Sequence, residues 1–263
     1  MIAVSVPGEI AVGEDVELPL ASVGKLPLLA TVARAICAGT LDPAEPVDLR
    51  EEDHVGGSGL LHALSARRWS IADLALLTAA VSDNIATNAL LRRIGLDRVA
   101  AESRTLGLRR TRVLDRIREP RLPSDPPAFA VGTAGELARF AATLDGQEEW
   151  TRLMLGWLAH NTDRSLVPAH LPHDPEDRRF PTTALPGTAP PGTVWVANKT
   201  GTDDGVRADV GVMVGHRRIG YAVLASGPTG SEHELATRVR EAGRTIGHLV
   251  GVTPPTPPTP NTP

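Results

Sequence analysis

An α/β protein of the α+β kind is the fold this sequence predicts, with an antiparallel sheet built from both chain ends, flanked by helices, and an all-helical lobe inserted between. Three observations predict it. The chain opens on a short β-rich run, Ile2 to Val6. From Val194 to Ser226 three strand-like runs follow one another with turns between them. Nearly every periodic segment in the middle has helical spacing instead.

Taken in order, Ile2 to Val6 ends at Pro7-Gly8, and Glu14 to Leu18 is expected to be its return strand. Ser22 to Ala38 reads as the central helix. Pro27 lies near its fifth position, beyond the free first-turn amides, so a local irregularity is expected there. Gly39, Asp42-Pro43 and Glu45-Pro46 end it. Gly56-Gly57-Ser58-Gly59 is not a nucleophile elbow, because Leu60 stands where the last Gly belongs, and it lacks the spacing of a phosphate loop. A turn before a short helix from Leu60 to Leu64 is the expectation.

Ser70-x-x-Asp73 caps a helix over Ile71 to Val81; Asn84 to Ile94 closes at Gly95, and Asp97 to Leu106 at Gly107. Thr133-x-x-Glu136 opens a helix to Leu144, and Glu148 to His160 is another. The strands are Val194 to Lys199, Arg207 to Val214 and Ile219 to Ser226. Ser231-x-x-Glu234 caps the last helix, with Leu235, Val239, Ala242, Ile246 and Leu249 on its apolar face. Residues 1–252 therefore form one domain, with an α/β lobe of about 1–50 and 190–252 and a helical lobe of about 51–189. The Pro/Thr tail, 253–263, is expected to be disordered.

Composition excludes several function classes. A hydrophobic content of 41% and 22% charged residues are ordinary for a globular protein, and 263 residues bury a sizeable core. A net charge of −4 gives no basic surface for nucleic acid or an anionic membrane. Cys37 alone forms no internal disulfide and suits an apolar helix face. No run approaches the roughly 18 apolar residues of a bilayer span, and the first residues lack a basic and then apolar leader pattern, so a cytoplasmic monomer is expected. His170-x-x-His173-Asp174 is interrupted by Pro172 and reads as a solvated loop; no metal or other cofactor is expected.

Of 27 basic side chains only two are lysines, Lys25 and Lys199. A lysine that must lose its proton cannot be exchanged for Arg, whose guanidinium stays charged. Lys25 ends Ser22-Val23-Gly24-Lys25, where helical spacing puts Ser and Lys on one face and a neutral amine can take the serine proton. Lys199 opens Lys199-Thr200-Gly201, and between them lies Ser82-Asp83-Asn84, whose plainer reading is a helix cap. S-x-x-K, S-D-N and K-T-G in that order resemble the motif set of class A β-lactamases and penicillin-binding proteins. The resemblance covers Ile2 to Val250.

That resemblance implies a serine hydrolase opening a small-molecule, β-lactam-like amide. Ser22 would be the acylated nucleophile, Lys25 its base, and Ser82 the proton relay to the leaving nitrogen. Asn84 would hold the substrate amide, Lys199 and Thr200 its carboxylate, and Gly201 would allow close approach of the substrate backbone. The N–H groups of Ser22 and Thr202 would form the oxyanion hole. Arg207 would supplement Lys199, or be an ordinary exposed Arg; Asp209 resembles the family's following acid. Glu119-Pro120-Arg121-Leu122 resembles the first four positions of E-x-x-L-N, making Glu119 the deacylation base, but Pro123 replaces the Asn. One extra residue separates Glu119 from Leu114-Asp115-Arg116. The alternatives are an acyltransferase, peptidase or esterase of the same fold, or a non-catalytic binding homologue.

Overall fold

The protein is described by a computed structural model over residues 1–174, 176–177 and 190–252. The expected 253–263 tail lies outside these residues. Strand β1 (Ile2–Val6) turns at Pro7-Gly8-Glu9 into β2 (Ile10–Val12), pairing Val6 with Ile10. This short return differs from the expected strand over Glu14 to Leu18. Gly8, at φ +79, closes the turn so soon that the chain is already paired at Ile10. The next strand, β3 (Glu17–Pro19), leaves the hairpin for a second sheet.

A 3-10 turn, Ala21–Lys25, leads into α1 (Leu26–Cys37). The expected irregularity at Pro27 is this break. Proline has no amide hydrogen to bond within a helix, so the α-helix proper starts at Leu26 and Pro27 falls in its first turn. Strand β4 (Pro46–Asp48) pairs with β5 (Arg68–Ser70). The expected helix over Leu60 to Leu64 is only a turn, closed by Ala63 and Leu64 N–H on Leu60 O. Asp83 holds that segment instead, accepting from Leu60 N at 2.6 Å and Leu61 N at 2.9 Å.

Helices α2 (Ile71–Ala80), α3 (Asn84–Ile94) and α4 (Leu96–Thr105) follow close to their expected bounds. Ser70 caps α2 through Asp73 N, and Asp83 caps α3 through Ala86 N. Strands β6 (Arg112–Val113) and β7 (Ala130–Thr133) join β3 in the order β3-β7-β6. The middle of the chain is thus not all helical. Helices α5 (Ala134–Thr143) and α6 (Glu149–Ala159) follow. Thr133 caps α5, while Glu136 turns away from it and accepts from the N–H groups of Arg109, Arg110 and Thr111.

The last strands, β8 (Trp195–Asp203), β9 (Val206–Val214) and β10 (Arg218–Ser226), complete a five-stranded antiparallel sheet in the order β2-β1-β10-β9-β8. Both chain ends meet in it, for β1 pairs Val4 with Val223 of β10. Helix α7 (Glu232–Leu249) covers one face. Ser231 does not cap it as expected: its Oγ donates to Pro228 O, and Glu232 accepts from Gly205 N and Gly230 N. Alternation along the strands splits the core. Ala208, Val210 and Val212 face α1 and the helical lobe, whereas Met213, Tyr221 and Val223 face α7. Strand β8 is the edge, and the turn before α1 lies beside it.

Candidate active site

The 3-10 turn places Ser22 and Lys25 one above the other, because residues i and i+3 eclipse in that geometry. Ala21 before them has φ +45, a left-handed backbone that non-glycine residues seldom adopt. Ser22 is half-buried and Lys25 wholly buried. Lys25 Nζ donates to Ser82 O at 2.6 Å, Ser82 Oγ at 3.0 Å and Asn84 Oδ1 at 2.8 Å. Ser82 also sits in the left-handed region, at φ +57, and so turns both its oxygens to one ammonium.

Asp83, between these two side chains, is buried and points the other way. It accepts from Leu60, Leu61 and Ala86 N–H, which anchors the loop carrying Ser82 and Asn84. Asn84 spends Nδ2 on Gly56 O at 2.9 Å. Burial, with Lys199 nearby, holds the Lys25 pKa well below the usual ammonium value, while Asp83 pulls it back up. An amine that loses its proton easily is then in place beside the Ser82 hydroxyl, one 3-10 turn from Ser22.

Lys199 is also wholly buried, and its Nζ donates to Thr200 O at 2.9 Å. Burial lowers its pKa to about 8, against the raising influence of Asp163 and Asp209. Both lysines of the chain are therefore sealed from water, where an ammonium is held only by what surrounds it. Gly201 follows on the edge strand. A Cβ there would strike Leu20 O and lie 3.0 Å from Val23 N and 3.2 Å from Ser22 N. The close approach that needs glycine is thus to the backbone of the 3-10 turn, not to a substrate as the sequence suggested, and it brings β8 against the Ser22 N–H.

A cavity of about 160 Å³ lies in front of Ser22, lined also by Asn84, Glu119 and exposed Thr202. Lys25 and Ser82 join it through their hydrogen bonds, and Lys199, Thr200 and Gly201 lie along β8. Of the remaining sequence-predicted residues, Glu119 lines the cavity unbonded and Arg207 stands apart from it. Glu119 is exposed and makes no hydrogen bond or ion pair among the described residues. Arg207 shares a strand face with Thr202, but its Nη1 donates to Asp203 O at 2.8 Å and Val206 O at 2.7 Å in its own hairpin.

Sequence reasoning missed other lining and supporting residues. Ile117 is buried in the cavity wall, its N–H and C=O both held by the Asn88 side chain, at 2.8 and 3.0 Å. Asn88 lies one turn after Asn84 on α3, a spacing that could have been noticed. Asp163, two residues after Asn161, is pushed up by burial. Bonds from Ser165 and Thr200 and the charge of Lys199 nevertheless hold it below the usual carboxylate value. Asp209, which the sequence did offer as the family's following acid, is buried behind β8, accepting from Asn198, Tyr221 and Val167 N–H. Burial pushes it up to about 7 against those three donors.

The sequence matches the family model described as the β-lactamase enzyme family over residues 4–250. The chain belongs to that family. Its β-lactamase fold recurs in solved structures. A β-lactamase from Sphaerobacter thermophilus is 26% identical, with a TM-score of 0.77 over 95% of this chain and 92% of that one. The chromosome-encoded β-lactamase of Vibrio parahaemolyticus is 22% identical, at TM-score 0.76 over 95% and 94%. PBP-A is 19% identical, at 0.76 over 94% and 88%, and a variant of PBP-A has been solved as its acyl-enzyme complex with penicillin G. Comparison with curated proteins gives no match. Family and fold are those of serine β-lactamase-type hydrolases.

Proposed function

We propose that this protein opens β-lactam amides through an acyl-enzyme on Ser22, in the manner of class A enzymes. The observation that carries the reading is that both lysines of the chain are buried directly behind the wall of the Ser22 cavity, Lys25 bonded to its lining residue Asn84 and Lys199 on the strand that carries its lining residue Thr202. Folding alone has no use for two sealed ammonium groups, and this opposes a non-catalytic role.

Ser22 Oγ attacks the lactam carbonyl as the Lys25 amine takes its proton. The Lys25 ammonium so formed donates to Ser82 Oγ, as it does in the structure. A hydroxyl both donates and accepts, so as Ser82 takes that proton its own O–H proton goes to the departing lactam nitrogen, and Lys25 is neutral again. The N–H groups of Ser22 and Thr202 receive the oxyanion, a donor typically contributing about 3 kcal/mol. Lys199 and Thr200 hold the substrate carboxylate, and Asn84 the side-chain amide.

Water must then cleave the ester. Of the two carboxylates at the cavity, Asp203 is paired with Arg121, and Glu119 is exposed and unpartnered among the described residues; Pro123 offers no amide to hold a water, and Ile117 presents an apolar wall. These features favour a second reading, in which the acyl-enzyme persists and passes its acyl group slowly or to another acceptor. Acyltransferase, peptidase and esterase activities on other esters or amides share this chemistry.

Intact-protein mass spectrometry after mixing with benzylpenicillin, sampled from seconds to hours, tests both. A mass increase equal to the drug, absent in Ser22→Ala, is expected. Fast loss of adduct and drug marks a β-lactamase with Glu119 at the water; persistence marks the acyl-enzyme reading. No adduct would remove β-lactams as substrates.

A further inference from the structure

Beside Lys199 and Thr200, the pair assigned to a substrate carboxylate, the protein already holds a carboxylate of its own. Asp163 lies in the loop after α6, and that loop is tied down on two sides. The Thr162 N–H and Oγ1 both donate to Ala80 O, at 2.9 and 3.1 Å, two residues before Ser82. Asn161 Nδ2 donates to Asn198 Oδ1 on β8 at 3.1 Å and to Asp163 O at 2.9 Å, and Asn161 Oδ1 accepts from Asp163 N at 3.2 Å. Asp163 is thereby fixed between the end of α2 and β8. Its Oδ1 accepts from Ser165 N at 2.9 Å, and the Thr200 hydroxyl also donates to its carboxylate.

Thr200 has a single O–H to give. While Asp163 accepts it, a substrate cannot. An entering carboxylate must take that O–H away and then rest beside a second carboxylate, and like charges so placed oppose one another. Little positive charge is left over to outweigh this. The charged groups around Lys199 are Asp163 from this loop, Asp209 from β9 and Lys25 from the 3-10 turn. The Lys199 ammonium is therefore matched by Asp163 before any substrate arrives.

We propose that Asp163 is a built-in counter-ion of Lys199 and sets specificity: by holding the Thr200 O–H it cancels the preference for a substrate carboxylate, so β-lactams whose carboxyl is esterified are accepted as readily as the free acids. The proposal rests on the β-lactam reading of Ser22 and names its substrate class. An esterified carboxyl brings no charge against Asp163, which keeps its partners. Asp163→Asn removes the competing charge and retains Oδ1 for the Ser165 N–H. Its new Nδ2 donates to Thr200 Oγ1, and the Thr200 O–H turns to the substrate.

The test compares benzylpenicillin with its methyl ester, which differ only in that charge. Equilibrium binding is measured at pH 6 in Ser22→Ala, with and without Asp163→Asn, and acylation in the protein that keeps Ser22. Without the Asp163 change the two compounds are expected to bind within about twofold of each other; with it the free acid is expected to gain about fivefold over the ester. Asp163→Ser, which also leaves a short acceptor for Ser165 N–H, is expected to act like Asp163→Asn and serves if the latter fails to fold. A second readout needs no substrate. Lys25 and Lys199 are the only lysines, so 13C-labelled lysine gives two side-chain signals, assigned with Lys199→Arg. The Lys199 signal is expected to titrate near pH 8 and, in Asp163→Asn, lower, because a negative charge that raises its pKa is gone. A loop that served only the fold would weaken both compounds alike and leave their ratio unchanged. An acid-to-ester ratio that is the same with and without Asp163, or a Lys199 titration that stays fixed in Asp163→Asn, overturns the counter-ion. Acylation by neither compound overturns the Ser22 reading alone, because the binding ratio and the titration are read without it.

Discussion

In the mechanism proposed above, Lys25 and Lys199, chemically alike, work in opposite protonation states. Lys25 must be neutral to take a proton from Ser22, and its pKa is lowered by burial and by Lys199. Lys199 must be charged to hold a carboxylate, and its pKa is about 8. The sign follows directly. Acylation rises with pH as Lys25 loses its proton, then falls above pH about 8 as Lys199 loses its own. The rate of adduct formation measured from pH 5 to 10 is expected to show that alkaline limb. In Lys199→Arg the guanidinium stays charged, so the limb is expected to vanish below pH 10 while the plateau drops about tenfold from misfit at a packed site. A limb that stays near pH 8 in the Arg variant belongs to another group. The sequence made this pair visible because the chain uses Arg everywhere else, and buried Lys cannot be so replaced. It left Asp163 and Asp209 without their part in holding Lys199, because those relations cross between β8, β9 and the loop before β8.

At the scale of elements, legibility followed locality. Helices α2, α3, α4 and α5 begin within a residue or two of their expected starts, since cap and periodicity are written in adjacent residues. The sheet of β3, β7 and β6 went unread, because strands of two to four residues show no alternation and β3 finds its partner β7 over a hundred residues away. Leu60 to Leu64 closes one turn on Leu60 O and goes no further, and the Asp83 carboxylate that holds its first N–H groups comes from a distant segment that its own residues do not signal. The decisive junction between elements is Gly201 against the 3-10 turn. Gly201→Ala forces β8 away from Leu20 and Ser22, since the collision is with backbone that cannot rotate aside. Overpacking of this kind costs about 1–3 kcal/mol. The displaced Ser22 and Thr202 N–H groups are expected to slow acylation about 100-fold. Denaturant midpoints together with adduct kinetics check both effects; a variant that loses stability but acylates at the parent rate would separate the junction from the chemistry.

Across the whole molecule, the sheet is a wall between two cores, and the site lies on the α1 side while α7 packs on the other. Asp209 joins them. It is buried on the Thr200 face of β9 and ties together β8 through Asn198, β10 through Tyr221 and the 3-10 turn Val167–His170 through the Val167 N–H. Its charge also raises the pKa of Lys199. Asp209→Asn keeps the shape but turns one acceptor oxygen into a donor facing N–H or O–H groups. One buried donor then has no acceptor, and a loss of about 2–4 kcal/mol in unfolding free energy is expected. The electrostatic consequence is separate. At pH 8, above its own value of about 7, Asp209 is ionised, so its removal withdraws a negative charge that keeps Lys199 protonated. The alkaline limb of acylation is therefore expected to move to lower pH in Asp209→Asn. A limb that stays fixed while stability falls would mean that Asp209 serves only the fold. A limb that moves down shows the α7 side of the sheet setting the charge of a residue in the cleft.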